Sequence, residues 1–196
     1  MKKSVWLLVI LALGVIIFGC NSKGGKQPEA GIDKDLALKF LQGTQNGDKK
    51  VMYEATNLTT EIVNDNREKL VHAKQYKQTD RQRRDSEYAL RISGNIDFFL
   101  SKLRAMLPKS AGFQVTKTEA KGTIEDAVRT VHFVKITYNN KNEAMRDKTG
   151  KPVREIVLHL QQLDRTVDGR GLHEFSFDSK DFEKMANRDF EVLSYF

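Results

Sequence analysis

Imidazole is the side chain best suited to moving protons or holding a metal near neutral pH, and three of the four histidines, His132, His159 and His173, lie in stretches of alternating hydrophobicity. Three imidazoles brought together across a sheet would bind a transition metal. Parity decides which of them can meet. His132 shares a face with Val128, Val134 and Ile136, and His173 shares one with Phe175 and Phe177, so both turn toward the apolar side. His159 shares its face with Glu155 and Gln161, while Ile156, Leu158 and Leu160 turn the other way. A three-histidine site would need a bulge to reverse His159, so no metal is expected. What remains is a candidate pocket lined by His132 and His173, with Tyr138 on the His132 face. The competing expectation is hydrogen-bonded, half-buried histidines of structural use.

Proton transfer next to a carbonyl needs a pocket carboxylate and a phenol that share a site. Tyr138 supplies a phenol, but no Asp or Glu is placed beside it by the pattern. Serine-nucleophile elbows, phosphate-cradling glycine loops and helical zinc motifs are missing. No catalytic residue and no cofactor is assigned, and the expectation leans away from an enzyme.

A second cluster is electrostatic. Lys74, Lys77, Arg81, Arg83 and Arg84, offset by Asp80 and Asp85, carry a net +3 over twelve residues. Such a stretch can contact the phosphates of an anionic surface, or it can be a solvated loop or helix face. Tyr76 is the only aromatic residue within it, which disfavours nucleic acid as a partner.

The remaining reactive side chain is Cys20, the only cysteine, so no intrachain disulfide can form. Lys2 and Lys3 precede an uncharged run of fourteen residues, Val5 to Phe18. That run has the size of a secretory hydrophobic region and is short of the roughly 20 apolar residues a membrane-spanning helix needs. The segment Ile17-Phe18-Gly19-Cys20 resembles the lipobox of bacterial lipoproteins. The resemblance implies a signal peptide over 1–19, a diacylglyceryl group on the Cys20 sulfur and acylation of the new amine. It also implies a membrane partner through the lipid anchor. Because Asn21 is not Asp, it implies the periplasmic face of the outer membrane where the cell has two membranes. The alternative is an uncleaved N-terminal helix over Ser4 to Ser22.

Residues 20–31 comprise the lipidated cysteine and a linker whose Asn21–Gly31 part holds three glycines and a proline, a flexible tether. Without the two leader lysines the chain has 31 basic and 26 acidic side chains, a mild +5 that steers encounters more than it specifies them. Residues 32–196 are long enough for a single domain with its own core.

The elements that must position these side chains change period midway. Asp33 is placed to cap a helix lined by Ile32, Leu36, Phe40 and Leu41 and ending at Gly43. Asp48 is placed to cap a second, carrying Val51, Met52, Ala55 and Leu58. Thr60–Tyr76 has a thin apolar stripe, and Asn95–Leu107 has a strong one, stopped by Pro108. Strands are expected around Phe113 and Val115, over Val128–Tyr138, Val153–Leu163 and Leu172–Asp178. Between the second and third, Asn139–Pro152 forms a long connection that can be partly paired. Ser179 can cap a short helix bearing Phe182, Met185 and Ala186, and residues 189–196 fit helix or strand equally.

Helices first and antiparallel strands afterwards is an α+β pattern, with N-terminal helices packed on a curved sheet. That order, with the helix-Gly-Asp-helix opening at Gly47-Asp48, resembles the nuclear-transport-factor-two-like cone. The resemblance implies a pocket that is catalytic in some members and binds, or is filled, in others. The resulting expectation is a lipid-anchored envelope domain that binds a small-molecule ligand or an envelope protein without catalysis. The alternatives are an enzyme acting on a small molecule in a cone-shaped pocket and a structural envelope scaffold.

Overall fold

Ala37, Phe40, Leu41 and Thr44 recur at helical spacing, and in the computed structural model, which describes residues 34–124 and 126–182, they form the buried face of α1, Lys34–Asn46. The chain's own contacts divide it into Met1–Gly31 and Ile32–Phe196, and every element below belongs to the second unit. Helix α1 continues past Gly43, the end expected from the sequence. Gly43 is a contact point, since a Cβ there would lie 2.7 Å from Met52 Cγ and 3.1 Å from the Met52 nitrogen. The helix stops instead at Gly47, whose φ of 71° only glycine adopts at little cost. The Gly47 and Asp48 N–H groups donate back to the Thr44 and Gly43 carbonyls, at 3.2 and 2.8 Å, satisfying the last turn. Asp48 then caps α2, Lys49–Thr56, accepting from the N–H of Lys50 and Val51.

Three further helices follow, α3 at Thr60–Val71, α4 at Ala73–Tyr76 and α5 at Asp80–Phe98. A π-helical turn, Phe99–Leu103, and a 3-10 turn, Arg104–Met106, complete the run to Pro108. The sequence pattern starts this last helix at Asn95, but α5 begins at Asp80, with a capping box between Thr79 and Gln82. Its buried stripe includes Asp85, Ser86 and Ser93, which interrupt the apolar period. Those polar residues are tolerated because they have partners. Asp85 faces Arg165, and Ser93 meets the Tyr53 hydroxyl.

The sheet is an antiparallel meander in the order β1 (Ala111–Ile124), β2 (Ala127–Tyr138), β3 (Glu155–Val167), β4 (Arg170–Phe177). Strand β1 is longer than its apolar residues suggest, because much of its second half is solvent-exposed and carries no alternation. Bulges between Val115 and Lys117 and between Ala120 and Thr123 bend it. In the long connection, Arg146 pairs with Pro152 in an isolated bridge. Strands β3 and β4 turn at Asp168-Gly169, both with positive φ, as a two-residue hairpin requires. A 3-10 turn at Ser179–Phe182 follows. The leader, Cys20, the tether, the Asp33 cap, Met185, Ala186 and residues 189–196 lie outside the described residues.

The class is α+β. Phe40 of α1 stacks on Phe175 of β4 at 4.4 Å and meets Phe99 edge-on at 4.8 Å, and Phe99 stacks on Phe177 at 5.4 Å. Burying each ring contributes about 1.5–3 kcal/mol. Helices α2 and α5 lie against β4. There the Arg91 guanidinium grips the buried Glu174 carboxylate with two bonds of 2.8 Å, and the Tyr88 ring has the Arg91 and Arg165 guanidinium groups 5.2 and 5.6 Å from its centroid. No helix among the described residues is long and apolar enough to cross a membrane.

Candidate functional site

Strand register brings a polar row onto one face of the sheet. Thr118 of β1 lies opposite His132 of β2, Thr130 of β2 opposite Gln162 of β3, and Asp164 of β3 opposite His173 of β4. Opposed residues point to the same side, and side chains two apart on one strand reach their diagonal neighbours. A continuous chain of bonds results. Thr118 Oγ1 is 3.1 Å from His132 Nδ1, His132 Nε2 is 2.8 Å from Gln162 Oε1, and Gln162 Nε2 is 2.9 and 3.1 Å from the two Asp164 oxygens. Asp164 Oδ1 is in turn 2.7 Å from His173 Nδ1.

Donor and acceptor chemistry orders this chain. The Gln162 amide nitrogen faces the Asp164 carboxylate, so its oxygen faces His132 and must accept from Nε2–H. In the neutral ring, His132 Nδ1 then accepts from the Thr118 hydroxyl. His173 donates from Nδ1 to Asp164, which leaves Nε2 as the lone-pair nitrogen of the neutral ring. His132 is fully buried, whereas the His173 side chain is 23 % exposed. A carboxylate-held, partly exposed imidazole is the arrangement of a general base, and it also serves as a purely structural tie.

The structure therefore unites His132 and His173 and sets Tyr138 apart. Tyr138 lies six residues along β2 from His132, about 20 Å at strand spacing. Its hydroxyl donates to the Met106 carbonyl at 3.0 Å, and burial raises its pKa. His159 points to the opposite face, edge-on to Phe133, with Nδ1 2.6 Å from Asp181 Oδ1. Among the described residues no group of three or more His, Cys, Asp or Glu side chains is placed to hold a metal. Sequence reasoning missed Thr118, Gln162 and Asp164. A third strand expected to end at Leu163 left Asp164 outside the sheet, although its parity with Gln162 was readable.

The basic side chains gather where α3 and α5 are joined. Lys74 is on α4, Lys77 is the left-handed residue after it with φ 47°, and Arg81, Arg83 and Arg84 occupy the first turns of α5. All five are exposed, and Arg83 pairs with Glu87 at 3.6 Å. The other four have no ion-pair partner among the described residues. Nearby, Lys69 bridges Asp65 and Asp168 at 2.8 and 3.2 Å, and the hydrogen bond to Asp65 leads the effects that raise its pKa. This bridge borders a groove of about 350 Å³ lined by Ile62, Asp65, Val167, Asp168 and Leu172.

Compared with known proteins, the chain matches no family model, no curated protein and no solved structure.

Proposed function

We propose that this chain is a lipid-anchored, extracytoplasmic domain that acts by binding a partner, without catalysis, and is held through Cys20 to a membrane. Where the cell has two membranes, that is the periplasmic face of the outer one. The observation that carries the reading is Ile17-Phe18-Gly19-Cys20, following a charged start and a short apolar run. Two or more acyl chains hold stably where one holds only marginally. Phe40, Phe99, Phe175 and Phe177 pack ring on ring in the domain interior, which weighs against the cone-shaped interior pocket of the enzyme alternative. The test is Cys20→Ser in the producing cell with labelled fatty acid. Label should be lost and the exported domain should leave the membrane; membrane attachment persisting without label on either form would sink the lipid anchor in favour of an uncleaved helix.

A second reading, an enzyme acting on a small molecule, is favoured by the Asp164-held, partly exposed imidazole of His173. Native mass measurement of the chain purified from its own source separates the two. A reproducible excess mass lost on denaturation, and lost in His173→Phe, places a small-molecule ligand at His173, as the second reading requires; a bare mass favours the partner-binding domain.

A further inference from the structure

The tip of the α3–α5 hairpin combines unpaired cations with protruding apolar groups. Arg67 and Val71 lie four apart on one face of the last turns of α3, and Arg81 and Arg84 lie three apart on the first turns of α5. Lys74, Tyr76 and Lys77 fill the connection between them. Every side chain described from Val71 to Arg84 is exposed except that of Gln78, with Val71 at 73 % and Tyr76 at 48 %. Arg67, Lys74, Lys77, Arg81 and Arg84 have no ion-pair partner among the described residues. The carboxylates at the tip are Glu68, which accepts from the Tyr76 hydroxyl at 3.2 Å, and Asp80, so positive charge remains in excess.

We infer that this tip rests against the anionic lipid surface of the membrane to which the chain is tethered, an inference that depends on the anchoring proposed above. The surface is the exposed end of a hairpin, with a cavity of only about 110 Å³ beside Tyr76, which suits a flat fluid interface. A phenol and a branched aliphatic side chain raised among cations suit the headgroup layer, where amphipathic rings settle while Lys and Arg meet phosphates. Each cation near such a surface favours the bound state by about five-fold. The contact therefore needs anionic lipid and weakens with salt. Held by the tip, the domain keeps this end toward the membrane.

The experiment uses the mature lipidated chain, beginning at Cys20, with Tyr76→Trp; Trp6 leaves with the leader, so the indole at the tip is the only one. It is reconstituted into vesicles of phosphatidylcholine alone or with about a third phosphatidylglycerol, with brominated acyl chains as quenchers. Expected is quenching in the anionic vesicles only, abolished by about 0.5 M salt. Charge reversal at Lys74, Lys77, Arg81 and Arg84 to Glu should abolish it too, while Lys141→Glu with Lys148→Glu leaves it unchanged. Equal quenching in both vesicles, or none in anionic vesicles with which the chain still floats, overturns the tip contact and leaves the anchor standing. A chain that floats with neither vesicle overturns the anchor and the tip together.

Discussion

In the neutral rings, partner chemistry puts the protons of His132 and His173 on opposite nitrogens, His132 Nε2 facing the Gln162 oxygen and His173 Nδ1 the Asp164 carboxylate. The pattern follows from Gln162, which can present its amide hydrogens only to the carboxylate and so turns its oxygen to His132. Long-range nitrogen–proton NMR of the neutral rings should show one imidazole protonated at Nε2 and the other at Nδ1. Gln162→Glu should disturb both signals and leave His159 unmoved. Matching tautomers in the two rings would mean that the chain of bonds is not formed in solution.

Breaking that chain at its centre should be expensive. Gln162 is 2 % exposed and His132 is fully buried, so Gln162→Leu removes the Oε1 that faces His132 Nε2 and takes a donor from Asp164. Each buried bond lost in this way costs about 1–3 kcal/mol. Thr118→Val, at the half-exposed end, should cost less, because solvent can replace the hydroxyl. Urea unfolding of the two variants checks the order, and a Gln162→Leu midpoint equal to that of the parent would show that the row is not under stress.

The fold class was legible because apolar spacing switches period near Pro108, and the α1–α2 corner because Gly47 and Asp48 have local chemistry that only a turn and a cap explain. The start of α5 was not, since Asp85 and Ser86 occupy its buried stripe; Asp85 is satisfied by the distant Arg165, which no local pattern reveals, and Ser86 by Gln78 just before the helix. Likewise the facing of His132 and His159 followed from parity. The bond from His132 to Gln162 did not, because cross-strand register was unknown. Strand β1 hid its length because Lys117 and Lys121 flank Glu119 in a charged row on the strand.

Two helix glycines should respond oppositely to alanine. Gly94 has nothing within 4 Å of where a Cβ would sit, so Gly94→Ala should stabilise by about 0.5–1 kcal/mol through helix propensity. Gly43→Ala gains the same propensity but drives its methyl into Met52, a fully buried side chain with little room to swing, and against the Met52 backbone nitrogen. Overpacking of this kind costs about 1–3 kcal/mol, so the net effect should be loss. Denaturation midpoints that move the same way in both variants would contradict the close approach of α1 and α2.

Alkaline pH should unfold the domain through two phenols. Burial is the leading cause that raises the pKa of both Tyr88 and Tyr138, with the Glu174 and Asp164 carboxylates adding to it at Tyr88. An unfolded phenol titrates near pH 10 (about 10 in model peptides). Below that value both states hold their protons and the phenols leave stability unaffected by pH. Above it the unfolded chain releases protons the folded chain keeps, so stability falls as pH rises toward the folded values, by up to about 1.4 kcal/mol per pH unit for each phenol. Lys49 and Lys69, raised chiefly by hydrogen bonds to Asp97 and Asp65, act in the same direction but near the surface, where salt weakens them. At high salt, urea midpoints should therefore fall steeply above about pH 10 in the parent and much less in Tyr88→Phe with Tyr138→Phe. Phenolate absorbance of the folded parent should lag behind that of the urea-unfolded chain by two tyrosines, and full titration without unfolding would show that these hydroxyls are open to water.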